Sequence, residues 1–376
     1  MKRICIFFVN YGPYHLARVQ ATYDLAQVCH YNIIGLELAR NEVEYSWITE
    51  TSELKFPLYS VIKDKVLQEI PQAKTLYKLT LVLNSLKPDV IAISGYSHPA
   101  MLLALGWCLW NKKIPILLSE TTEQDFNRRY IQEKIKSWIA QLYKAALVGG
   151  KPHKQYLIKL GIKPEAIFMG YDVVDNFKFS PDQIRSLPCP VEYKYFLAIN
   201  RFIPKKNLIT LLRVYSVYVQ TDTLNSWHLI ISGDGELRSD LEKTIIDLKL
   251  SSRVHLTGFL QQEQLLPYFA HAQCFIHAST TEQWGLVVNE AMAAGLPVLV
   301  SNRCGCFQDL VLEGINGFGF DPHNPEELVN LMLKMSSSEV NLEAMGAASL
   351  KHIQNFTPEH FARGLKQAID YALERY

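Results

Sequence analysis

Short apolar runs alternate with longer amphipathic stretches along the whole chain. Residues 3–9 (RICIFFV), 88–94 (PDVIAIS), 114–119 (IPILLS) and 145–150 (AALVGG) are apolar without alternation, as strands covered on both faces are. Between the last two, residues 128–144 carry Tyr130, Ile135, Ile139 and Leu142 at helical spacing and predict an amphipathic helix. After about residue 180 the rhythm restarts at 195–200 (YFLAIN), 227–233 (WHLIISG), 254–259 (VHLTGF), 273–279 (QCFIHAS) and 297–301 (PVLVS). Two successive β-α-β series predict two doubly wound α/β domains facing a central cleft. The first is expected over 1–178 and the second over 193–357. A linker is expected at about 179–192, within a stretch that holds three prolines and no clean period.

Composition narrows the class. Hydrophobic residues make up 48% and charged residues 20%, so general disorder is excluded. The apolar stretch MLLALGWCLW ends at Asn111, too short to span a membrane. The N-terminal apolar run is also short and lacks a small-residue cleavage site, which predicts a buried strand and not a signal peptide. Seven cysteines form no disulfide framework, so a reducing cytoplasm is expected. Cys304 and Cys306 form a C-x-C with no second pair at metal spacing, and they read as packing residues.

The net charge of +1 hides an asymmetry. Residues 1–180 carry 22 basic and 16 acidic residues, and the remainder carry 16 and 21. A basic half suits an anionic partner, such as an acidic acceptor or a lipid surface, and peripheral contact with the inner face of a membrane is one expectation. Solvated lysines are the plain alternative. No block of like charge and no aromatic–basic interleaving points to nucleic acid.

In open α/β sheets ligands bind at the carboxyl ends of the strands, so the residues that follow each strand carry the chemistry. Arg201 and Lys206 follow YFLAIN, and two cations there suit a diphosphate. In SGDGELRSDLE, Gly233 and Gly235 allow a sharp turn before a helix. The most specific cluster is STTEQWGLVVNEAMAAGLPVLVS, in which Glu282 and Glu290 stand eight residues apart. A helix starting near Gly285 leaves Glu282 in the preceding loop and Glu290 on the second turn. Its first N–H groups form an anion site, and each carboxylate can accept from vicinal hydroxyls. In the first half, Gly12 lies in a turn after the first strand, and His15 starts the next helix and could reach the cleft on the acceptor side. His98 sits between a strand end and a helix. Glu120 follows a strand and could position or deprotonate an acceptor hydroxyl. No Asp-x-Asp occurs, so two cations and a helix N-terminus would stabilise a leaving diphosphate without a metal.

The E-x7-E spacing, NR followed five residues on by a lysine, SGDGEL, VHLTGF and NEAMAAGLPVLVS together resemble the retaining glycosyltransferases of family 4, which have the two-Rossmann-domain B fold. GYDVVDNFKF at 170–179 resembles the segment before that family's linker more loosely. The resemblance implies a metal-independent enzyme with no cofactor. It would take a sugar from a UDP- or GDP-linked donor to a hydroxyl acceptor, whether glycan, lipid-linked or small molecule. It gives Arg201 and Lys206 to the diphosphate, Glu290 to the ribose and Glu282 to the donor sugar. Gly285, Leu286 and Val287 would offer backbone N–H groups, Gly258 and Phe259 would line the base, Gly12 would approach the phosphates, and His98 would touch the transferring sugar. The C-terminal helix, 358–376, would cross back to complete the first domain. RCGCFQDL at 303–310 departs from the family's double glycine followed by Pro-Glu. Two rivals remain: a nucleotide-sugar epimerase of the same architecture and a catalytically silent nucleotide-sugar-binding subunit.

Overall fold

The computed structural model describes residues 1–41, 54–125, 128–222 and 226–376. Contacts divide the chain into two compact units, Met1–Val174 with Phe356–Tyr376, and Asp175–Asn355.

The first unit is built on seven parallel strands: β1 (Lys2–Phe8), β2 (Tyr31–Asn41), β3 (Leu58–Val66), β4 (Val90–Ser94), β5 (Ile114–Ser119), β6 (Ala145–Val148) and β7 (Ile167–Met169). Their order is β3-β2-β1-β4-β5-β6-β7. β1 pairs with both β2 and β4, so Ile4 lies opposite Ile33 on one side and Val90 on the other. The order reverses at this pair, and the loops after β1 and β4 diverge there. Helices Pro13–Cys29 and Pro358–Arg375 cover one face and bury Val19, Ala26, Phe361, Leu365 and Ile369. Helices Gln72–Leu86, Pro99–Trp110 and Lys151–Lys159 cover the other, burying Leu79, Leu83, Met101, Leu105 and Leu157.

The second unit has six parallel strands: β8 (Tyr195–Ile199), β9 (His228–Ser232), β10 (Val254–Gly258), β11 (Cys274–His277), β12 (Val298–Ser301) and β13 (Gly317–Phe320). Their order is β10-β9-β8-β11-β12-β13.

Three features differ from the sequence reading. The stretch expected as a linker, 179–192, lies inside the second unit, and the chain divides between Val174 and Asp175. Two short helices, Asn176–Phe179 and Pro181–Ile184, anchor it by burying Phe179 and Ile184, and Phe179 meets Phe269 edge-on at 5.6 Å. Strands β2, β3, β7 and β13 were not singled out. β3 is an edge strand with Lys63, Asp64 and Lys65 exposed, and β13 is only four residues, GFGF. The helix expected in 128–144 spans Tyr130–Ala140, but only Ala140 is fully buried. Of its apolar stripe, Tyr130, Ile135 and Leu142 are exposed, and Ile139 packs against the core. Among the described residues no helix is long and apolar enough to cross a membrane.

Candidate functional site

Loops at the carboxyl ends of β8, β9 and β11 bring the second-unit residues together. β8 ends at Ile199 and continues through Asn200 and Arg201 into a single 3₁₀ turn, Pro204–Lys206. Beside it the β9 loop crosses so tightly that a Cβ on Gly233 would sit 1.7 Å from the Asn200 carbonyl oxygen. The Phe202 N–H donates to the Asp234 carbonyl at 2.8 Å and locks the two loops. Asn200 is buried, and neither atom of its amide has a hydrogen-bond partner. Arg201 is exposed at the loop surface.

After β11 the chain passes from His277 through Ser279 to Glu282. The Thr280 N–H donates to the Lys205 carbonyl at 2.8 Å, so the β8 and β11 loops are stitched by backbone. Here the carboxylate of Glu282 is the focus. Lys205 Nζ lies 3.1 Å from Oε1, and Lys206 Nζ pairs with Oε2. His277 Nε2 is 3.7 Å from Oε2, and Ser279 Oγ donates to the same oxygen at 3.4 Å. Burial would push this carboxyl up, but the His277 hydrogen bond and the two ammonium groups outweigh it and hold the group well below the usual carboxylate range. Glu282 is therefore ionised. His277 is fully buried, which lowers its pKa and keeps the ring neutral at physiological pH despite the carboxylate.

Helix Leu286–Ala293 starts next to this cluster. Its N-cap, Gly285, has φ +104, and a Cβ there would lie 3.3 Å from His277 Nε2, so glycine allows both the left-handed turn and the approach to the histidine. The first N–H groups of the helix belong to Leu286 and Val287, and Glu290 is buried one turn further on. Trp284 locks the start of the helix by donating from Nε1 to Asn289 Oδ1 at 2.8 Å. The departing segment RCGCFQDL supports the loop from behind: the Gly305 and Cys306 N–H groups donate to the Glu282 and Trp284 carbonyls at 3.0 and 3.2 Å. Cys304 and Cys306 are buried, and burial pushes both thiols up, so they are packed, unreactive thiols. At the end of β10, Gly258 has positive φ and Phe259 is half-exposed.

The first-unit candidates share the carboxyl edge of the other sheet. Gly12 is the N-cap of helix Pro13–Cys29 in extended backbone. His15 stacks on Phe8 with ring centroids 4.0 Å apart, and burial lowers its pKa to about 3. His98 caps helix Pro99–Trp110 through Nδ1, which accepts from the Ala100 N–H at 3.1 Å, so one ring nitrogen is occupied. Glu120 is hydrogen-bonded to Tyr171 and Asp172. Beside them, buried Arg18 reaches Asp172 at 3.8 Å and lies 4.9 Å over the Tyr171 ring.

The structure thus brings Lys206, Glu282 and Gly285 into one cluster. It sets Glu290 on the adjoining helix, Arg201 on the β8 loop, and Gly258 with Phe259 on the β10 loop. Sequence reasoning passed over His277, Lys205 and Asn200. The tandem lysine in NRFIPKKN and the strand-final positions of Asn200 and His277 were the available signals.

Residues 179–352 match the family described as “Glycosyl transferases group 1”. Among curated relatives, the amylovoran biosynthesis glycosyltransferase AmsK of Erwinia amylovora is 25% identical over 251 residues, 65% of this chain and 57% of that protein. The alpha-monoglucosyldiacylglycerol synthase of Acholeplasma laidlawii is 36% identical over 120 residues, 32% of this chain and 29% of that one. The chain spans about half or less of the curated relatives it matches. Among solved structures, a glycosyltransferase from Rickettsia africae superposes with a TM-score of 0.74 at 14% identity over 100% of this chain and 99% of that one. Anabaena HepE, solved in complex with UDP and glucose, gives 0.73 at 15% identity over 98% and 100%. The two parallel-sheet units have the glycosyltransferase B fold.

Proposed function

We propose that the protein is a glycosyltransferase that takes a sugar from a nucleoside-diphosphate donor, UDP- or GDP-linked, to a hydroxyl acceptor with retention at the sugar carbon. The observation that carries this reading is the ionised Glu282, paired with Lys205 and Lys206 beside the N-terminus of Leu286–Ala293. A carboxylate so placed can hold sugar hydroxyls and oppose positive charge that builds as the leaving group departs. The two ammonium groups, with Arg201 and the helix N–H groups, can take the opposite charge, that of the departing diphosphate. Glu290 would hold the ribose diol, and Phe259 would stack on the base. Lys206 pairs with Glu282, so a diphosphate would share it with the carboxylate. On this reading the cations replace a metal. His98, through its remaining ring nitrogen, and Glu120, hydrogen-bonded to Tyr171 and Asp172, would serve the acceptor.

The test is binding and turnover with UDP-, GDP- and ADP-sugars. Arg201→Ala and Lys206→Ala should each weaken nucleoside diphosphate binding about tenfold or more, for a charged hydrogen bond of roughly 1.5–3 kcal/mol. The double variant should nearly abolish transfer, and wild-type activity should survive excess EDTA. Unchanged diphosphate affinity in both single variants would remove the assignment, and an EDTA-sensitive rate would overturn the metal-free mechanism.

A further inference from the structure

An amphipathic stripe normally turns toward the core. In helix Tyr130–Ala140 the arrangement is reversed. Its polar residues face the neighbouring helix Lys151–Lys159: Glu133 accepts from the Tyr156 hydroxyl at 2.7 Å, and Ser137 Oγ donates to the Leu160 carbonyl at 2.7 Å. Lys136 and Arg128 complete the Glu133 cluster at 3.0 and 3.5 Å. Ile139 and Ala140 pack toward the core, and the other apolar residues point outward. Ile131 is 73% exposed and Trp138 82%, with Ile135 and Leu142 on the same stripe.

This helix is one of four on the same face of the first sheet. The chain steps in one direction from β4 to β5, β6 and β7, so right-handed crossovers place Pro99–Trp110, Tyr130–Ala140 and Lys151–Lys159 together, and Gln72–Leu86 joins them ahead of β4. Trp110, 88% exposed, is the last residue of Pro99–Trp110, and Trp138 stands in the last turn of Tyr130–Ala140. Tyr77 and Leu81 continue the exposed apolar surface on Gln72–Leu86. The four helices hold seven lysines and a single carboxylate, Glu133, which is turned inward; two of the lysines are paired, Lys136 with Glu133 and Lys159 with Glu123 of the preceding loop.

We propose that this face docks on an anionic lipid bilayer, with Trp138, Ile135, Ile131 and Trp110 entering the interfacial layer and the lysines meeting the headgroups. An exposed patch of this kind marks an interaction surface. Tryptophan and tyrosine at its border are the side chains that suit the membrane–water interface. The near absence of carboxylates matches a negative surface and suits a basic amphipathic face lying in the plane of the membrane. The inference stands apart from the sugar-transfer reading. If both hold, the docked helix, which starts ten residues after Glu120, would bring a lipid-linked acceptor to the carboxyl end of β5.

The test is co-sedimentation of the full chain with vesicles of phosphatidylcholine alone and of phosphatidylcholine mixed with phosphatidylglycerol. The wild type should bind the mixed vesicles at least about tenfold better, and its tryptophan emission should shift to the blue by more than that of Trp138→Ser. Joint replacement Ile135→Ser and Trp138→Ser should weaken binding by about tenfold, and Lys134→Glu by several-fold, at unchanged melting temperature. Equal binding to both vesicle types would overturn the proposal, as would variants that bind like the wild type. A dimer dissolved by the same double substitution, with no vesicle binding, would show instead that a second copy covers this face.

Discussion

Glu282 and Glu290 hold their carboxylates in different settings, and they should fail differently when each is changed to Gln. Glu282 sits among Lys205, Lys206 and His277, where its charge does the work, so Glu282→Gln should chiefly lower kcat, by on the order of a hundredfold. Glu290 lies buried on the adjoining helix turn. If it holds only the ribose, Glu290→Gln should mainly raise the donor KM, by about tenfold or 1.4 kcal/mol. Steady-state kinetics beside melting temperatures would decide the matter, and identical profiles would reject the division of roles. His15 gives a pH prediction. Its pKa is about 3 in the fold against about 6.5 for an unfolded chain. Between those values the unfolded chain takes up a proton that the folded one does not, so the stability from a neutral His15 is complete above about pH 6.5 and lost as pH falls below it. The melting-temperature advantage of the wild type over His15→Gln should shrink between about pH 7.5 and about pH 4.5. An unchanged gap would show that His15 does not titrate this way.

At the scale of elements, the loops after β8 and β9 are locked together through main chain. Gly233 has φ +135 and lies against the Asn200 carbonyl, so Gly233→Ala combines a left-handed backbone with a clash against main chain that cannot swing aside. Chemical denaturation should show a loss on the order of 3 kcal/mol or more, and a loss under about 1 kcal/mol would mean that the two loops separate easily. The glycine was readable in SGDGEL as a turn. Its partner was not, because Asn200 lies 33 positions earlier and only the pairing of β8 with β9 brings them together. The helix in 128–144 teaches the converse. Its period is plain in the residues, but periodicity shows only that a stripe exists, and the direction it faces depended on Glu133 and Ser137 finding partners on Tyr156 and Leu160.

At the scale of the whole molecule, the C-terminal helix Pro358–Arg375 belongs to the first unit, where it buries Phe361, Leu365, Ile369 and Ala372 against the sheet and helix Pro13–Cys29. Removing residues 356–376 should speed hydrogen exchange in β1 and β6 while leaving β8 and β11 unchanged. Equal deprotection of both units would show that they do not unfold separately.

What the amino-acid order determined by itself is local: uninterrupted apolar runs for the buried parallel strands, glycines at strand ends, and the paired glutamates at E-x7-E spacing. These were legible because strand burial and turn chemistry act over a few neighbouring residues. Tertiary structure alone decided which cations meet Glu282. Lys205 and Lys206 lie 77 and 76 positions from it, and the pairing exists because β8 and β11 are neighbours in the sheet. Tertiary structure also drew Phe179 and Ile184 out of an apparent linker into the second core, and turned Trp138 outward. Charge pairing and burial depend on distance in space, and parallel strands joined by helical crossovers separate that distance from distance along the chain.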